Sequence, residues 1–209
     1  RNVAKVSTHI EKDKIKRSKA VNKKDAVKNL VAVIDGGHLK SKDKEKRSFE
    51  AMIATVYCPS NLSKIDKYHN EITQKTSVAS ALSDKQVTIK KLILHACRKE
   101  KINASVTVLT CLTDGANNCW SIANYLKTYS KELITILDWF HVTKRFTILN
   151  NQVDEELKAQ LEKVKWFLWH GKSEDGLLRL SSILESITDE KLLEKTHELY
   201  EYLKLNQKH

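Results

Sequence analysis

Three acidic residues stand at the ends of three apolar runs. Leu30-Val31-Ala32-Val33-Ile34 leads into Asp35-Gly36-Gly37-His38. Val106-Thr107-Val108-Leu109-Thr110-Cys111-Leu112 leads into Thr113-Asp114-Gly115, and Leu133-Ile134-Thr135-Ile136-Leu137 into Asp138-Trp139-Phe140-His141. Carboxylates at the ends of adjacent strands are what a hard cation needs. Magnesium takes oxygen ligands, keeps several waters and completes its shell with substrate phosphate. Two such ions about 3.5–4 Å apart can activate an attacking oxygen and stabilise a leaving one. A single Asp-Gly is ordinary turn chemistry. Its repetition after two apolar runs, with a third run-and-Asp beside them, is what points to a site.

The elements that must position these acids are short, β-branched and continuous, the signature of strands buried on both faces. Between the second and third runs, Trp120, Ile122, Ala123, Tyr125 and Leu126 suggest a helix. Strand, helix, strand implies a parallel crossover, whose ligands sit beyond the carboxyl ends of the strands. Gly36 and Gly115 are expected to let the chain turn there and a ligand approach the backbone.

Charge narrows the partners. The net charge of +11 points to a polyanion, nucleic acid first. No apolar run is long enough to span a bilayer, and nothing resembles a signal peptide, so a cytoplasmic protein is expected, nucleoid-associated if bacterial. Cys58, Cys97, Cys111 and Cys119 form no CxxC pair and are expected as free thiols, mostly buried. The chain starts at Arg1 and is read as a piece of a longer protein.

Residues 1–29 are expected to form a basic arm, solvated or in contact with phosphates, with ten Lys or Arg among the first 28 residues against Glu11, Asp13 and Asp25. A mixed-charge turn over residues 40–47 leads into a second strand over 49–58, antiparallel to the first. Residues 59–76 are expected as a polar loop. A third strand is possible near 77–82, and 87–101 has helical spacing. Beyond residue 150 the pattern is all-helical, with breaks at Gly171 and Thr188-Asp189. Trp166 and Trp169 are expected to anchor that helical core, base stacking being the alternative. The chain is thus expected to be α/β: a ribonuclease-H-like mixed sheet with flanking helices over residues 30–150, then an all-helical segment over 151–209, appended to the α/β part or inserted into it.

Those motifs carry a resemblance. VIDGGHLKSKDKEKRSFEAMIATVY, LTDGANNCW and ITILDWFHVTKRF together resemble DDE-type insertion-sequence transposases related to the Mutator superfamily. The resemblance implies that Asp35 ends strand one as the first catalytic acid and that Asp114 is the second. Asp138 and His141 match an Asp-x-x-His signature, and the C-terminal helices match a helical insertion. It implies Mg²⁺ or Mn²⁺ as cofactor, DNA (element ends and target) as partner, and a homo-oligomer when full length. It places the third acid, a Glu, after the insertion and beyond His209. On this reading Asp35 and Asp114 bind metal, while Lys40, Lys42, Lys44, Lys46, Arg47, Lys144 and Arg145 meet phosphates. Asp138 and His141 either support the site or only fix the start of the following helix. A nuclease that cuts without joining, and a DNA-binding remnant without catalysis, are the competing readings.

The charge pattern makes DNA binding steeply salt-dependent. Each phosphate contact adds about −0.9 to the slope of log affinity against log salt on duplex DNA. Neutralising Lys40, Lys42, Lys44 and Arg47 together should flatten that slope in filter-binding titrations; an unchanged slope would turn this segment away from DNA.

Overall fold

The computed structural model describes residues 2–42, 47–67 and 69–209, with backbone alone for residues 2–8. The chain divides into two compact units, residues 1–136 and 137–209.

The first unit is built on a five-stranded mixed sheet. Its strands are β1 (Asn29–Lys40), β2 (Ser48–Tyr57), β5 (Thr76–Ser80), β6 (Val108–Thr113) and β7 (Glu132–Leu137), whose last residue belongs to the second unit. They lie in the order β5-β2-β1-β6-β7. β1 runs antiparallel to β2, from Val31 opposite Tyr57 to Lys40 opposite Ser48, and β2 runs antiparallel to β5. β1 and β6 are parallel, with Asn29 beside Val108 and Ile34 beside Thr113. The loop expected over residues 59–76 holds a small hairpin, β3 (Leu62–Lys64) against β4 (Asn70–Ile72).

Alternation decides which face of the sheet is packed. Leu30, Ala32 and Ile34 of β1 are buried, as are Met52, Ala54 and Val56 of β2. Helix α2 (Val87–Lys99) packs on β2 and β5, and α3 (Asn117–Tyr125) on β1 and β6. α2 buries Ile89, Leu92, Ile93 and Ala96, the stripe its sequence spacing implies. Lys85 and Gln86 take positive φ just before it, and Asp84 accepts a hydrogen bond from the Thr88 amide at 2.9 Å. On the opposite face Val31 and Val33 are only half-buried, and Ile53, beside Asp35, is 49% exposed.

The basic N-terminal segment forms a helix, α1 (Asn2–Lys16), followed by an extended stretch tied to the first unit. Arg98 donates to the Ser18 carbonyl at 3.1 Å, Asn103 to the Val21 carbonyl at 2.7 Å, and the buried Thr107 hydroxyl to the Val27 carbonyl at 2.7 Å.

The second unit holds α4 (Trp139–Asn150), α5 (Glu155–Trp169), α6 (Ser173–Ser186) and α7 (Glu190–Leu205). Its helical packing begins earlier in the chain than residue 151, because Val142, Phe146 and Leu149 of α4 share one core with Leu161, Val164, Leu180 and Leu199. Aspartates start three of the helices. Asp138, Asp154 and Asp189 accept from the amides of Phe140, Leu157 and Leu192 at 2.8–2.9 Å, satisfying donors that the first turn leaves unpaired. Gly171 takes φ +70° between α5 and α6, as a helix stop requires.

One expectation fails in this unit. Trp166 and Trp169 are not core residues; they are 52% and 65% exposed. The buried stripe of α5 is Leu161 and Val164, flanked by the partly buried Leu157 and Leu168. At about 100° per residue, Trp166 falls nearly opposite that stripe and Trp169 well to its side.

Gly36 is a second correction. β1 does not end at Asp35 but continues through Gly36 and Gly37 to Lys40, and Gly36 has no positive φ. Its role is spatial. A Cβ there would lie 2.9 Å from the Met52 sulfur, beside the Asn118 amide, whereas Gly37 has open space. Gly36→Val should therefore destabilise the chain by about 1–3 kcal/mol, and Gly37→Ala by no more than about 0.5 kcal/mol. Urea unfolding of both variants checks this; equal effects would remove the packing role assigned to Gly36.

Candidate metal centre

The parallel register builds the site. Ile34 and Thr113 are the last paired residues of β1 and β6, and Asp35 and Asp114 are the next residue on each chain. The two acids therefore leave neighbouring strands at the same level, and both are half-buried. β6 ends here: Gly115 takes φ +88°, a conformation that side-chain-bearing residues rarely adopt, and the chain turns into α3. Of the two Asp-Gly pairs, only this one is a turn.

Each carboxylate is held by the backbone beside it. Asp35 Oδ1 accepts from the Gly36 amide at 2.8 Å, and Asp114 Oδ1 from the Ala116 amide at 3.0 Å. The Gly115 amide donates to the Thr113 hydroxyl oxygen at 3.1 Å. These bonds fix carboxylate orientation before any ligand arrives, which is what a preformed oxygen site needs.

Three residues that the sequence did not mark for the site lie around the start of α3. Cys119, on the first turn of α3, is fully buried. Burial pushes its thiol well above the ordinary range. The Asp114 charge and hydrogen bond push it further, and Asp35 and Glu50 add smaller contributions. One sulfur thus senses the Asp114 charge most strongly, with smaller effects from Asp35 and Glu50. Glu50 lies opposite His38 on β2, and its carboxylate accepts from the Asn118 side-chain amide. Asn118 also accepts from the Cys119 amide at 2.8 Å and approaches the Met52 sulfur at 3.5 Å. Hairpin register was the signal that could have found Glu50, since a tight β1–β2 return brings that part of β2 alongside the residues after Asp35. Cys119 and Asn118 carried none, because any buried helix start holds such residues.

The donor set suits a hard cation. The oxygens come from carboxylates, the ligands that Mg²⁺ and Mn²⁺ prefer. Among the described residues, no three His, Cys, Asp or Glu side chains are grouped as a complete metal site. Asp35 and Asp114 would be a partial set.

The remaining expected residues are divided between the two units. Asp138 caps α4 in the second unit, with His141 Nε2 3.8 Å from its Oδ2, which is the helix-start role. Lys40, Lys42 and Arg47 are exposed at the end of the β1–β2 hairpin, where the Ser41 amide donates to the Arg47 carbonyl at 3.1 Å. Lys44 and Lys46 lie outside the described residues. Lys144 is exposed on α4, while the Arg145 guanidinium lies 3.9 Å from the centre of the Tyr202 ring, a contact that ties α4 to α7. Cys97, Cys111 and Cys119 are buried free thiols and Cys58 is half-buried. No helix among the described residues is long and apolar enough to cross a membrane.

No protein-family description, curated protein or solved structure matches this chain.

The buried thiols make stability fall at alkaline pH. Burial raises Cys97 and Cys119 well above the ordinary range and pushes Cys111 up to about 12. A raised thiol contributes stability that is complete below its unfolded value, about 8.5, and is lost as pH climbs beyond it. Cys119→Ser should therefore lose less stability than the parent from about pH 8 to about pH 10, measured by urea unfolding. An identical loss would mean that Cys119 ionises as freely inside the fold as outside it.

Proposed function

We propose that this chain is the catalytic-core portion of a DDE-type DNA transposase, built on a ribonuclease-H-like sheet. One observation carries the reading: the β1–β6 register sets Asp35 and Asp114 side by side beyond Ile34 and Thr113. The sheet order supports it, with an antiparallel β1–β2 start and β6 returning parallel to β1 after a helix. The charge supports it as well. Residues 1–136 carry twenty-six Lys and Arg against thirteen Asp and Glu, whereas residues 137–209 carry eleven against thirteen. The basic excess thus belongs to the unit that holds the acids.

In this reading Asp35 and Asp114 hold Mg²⁺ or Mn²⁺, which when bound activates the attacking oxygen and stabilises the leaving oxygen of a phosphodiester. The chain's own work is to orient those carboxylates through Gly36 and Ala116 and to present a basic surface to the backbone of DNA. Two carboxylates only partly offset two divalent ions, so a third acid is needed. The half-open face beside Asp35, with Ile53 exposed next to it, suits a further apolar-faced element that would bring that acid. The helical unit stands where the family carries its insertion.

Asp35→Asn and Asp114→Asn should each lower metal-dependent cleavage and joining of labelled element ends by on the order of 10³, measured in a chain extended past His209. Glu50→Gln should cost far less, because Glu50 pairs with His38, three residues past Asp35, and by strand alternation belongs to the opposite face of the sheet. Residues 1–209 alone should join strands poorly. Cleavage without joining by the extended chain would favour a nuclease, and DNA binding without either reaction a non-catalytic remnant.

A further inference from the structure

The helical unit carries an aromatic surface that the transposase reading leaves unused. Trp166 and Trp169 lie three residues apart on α5, 52% and 65% exposed. Trp139, the first residue of α4, tilts against Trp169 with ring centres 5.1 Å apart. The three indoles, with Glu162, Lys163 and Lys165, line an open and largely apolar recess of about 560 Å³. His170 stacks on Trp166 at 4.1 Å and holds that ring in place, with Lys172 Nζ 5.7 Å from its centre. Lys165 is paired with Glu162 at 2.6 Å, while Lys163 is exposed at the rim.

Exposing two indoles leaves apolar area in water unless a ligand uses it. The ligand must offer flat π faces to the rings and negative charge to the lysines. We propose that this recess stacks unpaired nucleobases, with the sugar-phosphate strand passing Lys163 and Lys172, so that the helical unit is a single-strand-binding module. Stacking on aromatic side chains tolerates any base because every base has a π face, and flanking cations follow the backbone. A duplex hides its base faces and would not fill the recess. An anionic lipid surface is less suited, because the indoles are rimmed by charged side chains rather than by aliphatic ones.

The test follows tryptophan fluorescence of the full chain, in chelator without metal, on titration with oligothymidylate, oligouridylate, duplex DNA of equal length and anionic phosphatidylserine vesicles. Chelator keeps the outcome separate from the Asp35–Asp114 reading. Saturable quenching by the single strands is expected. A parallel anisotropy titration of labelled oligothymidylate should show Trp166→Ala/Trp169→Ala weakened on the order of tenfold or more, and Trp166→Phe/Trp169→Phe recovering part of the loss. Circular dichroism checks that the variants fold; both positions are exposed, so they should. Preference for thymidylate or uridylate would tell DNA from RNA as the source of the strand. Unchanged affinity of the alanine variant, no binding by the parent, or equal quenching by duplex or vesicles would overturn the proposal.

Discussion

Everything in the first unit depends on the parallel pairing of β1 with β6. Parallel neighbours begin and end at the same side of a sheet, so two acids that each follow a buried apolar strand arrive together. An antiparallel pairing of the same segments would have sent Asp35 and Asp114 to opposite edges. The pairing is enforced from one face. Leu30, Ala32 and Ile34 must be covered, as must Leu109 and Cys111, and α2 and α3 cover the packed face of the sheet. A slip of one residue would turn each buried side chain to the other face.

The close approach at Gly36 belongs to the same constraint. With Met52 directly opposite and Asn118 behind, a side chain at Gly36 would displace the end of the Met52 side chain toward Asn118. That would disturb Glu50, whose carboxylate is held by Asn118, and through Asn118 the start of α3 where Cys119 meets Asp114. Gly36, Met52 and Asn118 thus pack at the start of α3, while the Asp35 and Asp114 carboxylates are oriented by the Gly36 and Ala116 amides.

The helical unit is stabilised on other terms. Its core of Phe146, Leu161, Val164, Leu180 and Leu199 is self-contained, and three of its four helices start at aspartate caps. Its slight acidic excess contrasts with the strongly basic first unit. Nucleic-acid contact by this unit would rest on local chemistry, aromatic rings with nearby lysines, rather than on its overall field.

The sequence by itself determined the elements. Period-two and period-3.6 patterns, Asp caps and a helix-stopping glycine are local properties, so the main strands and the helices from α2 onward were legible in it. It also determined that Asp35 and Asp114 follow apolar strands. Tertiary structure decided what depends on which segments meet. Only the pairing of β1 with β2 let β1 run on through Gly36, because a hairpin partner supplies hydrogen bonds that a turn would have ended. Only the packing of α3 on β1 and β6 brought Asn118 and Cys119 to the carboxylates. The tryptophans show the same division: hydrophobicity marked Trp166 and Trp169 for burial, but the face of α5 turned inward was chosen by Leu161 and Val164, which left the indoles to solvent.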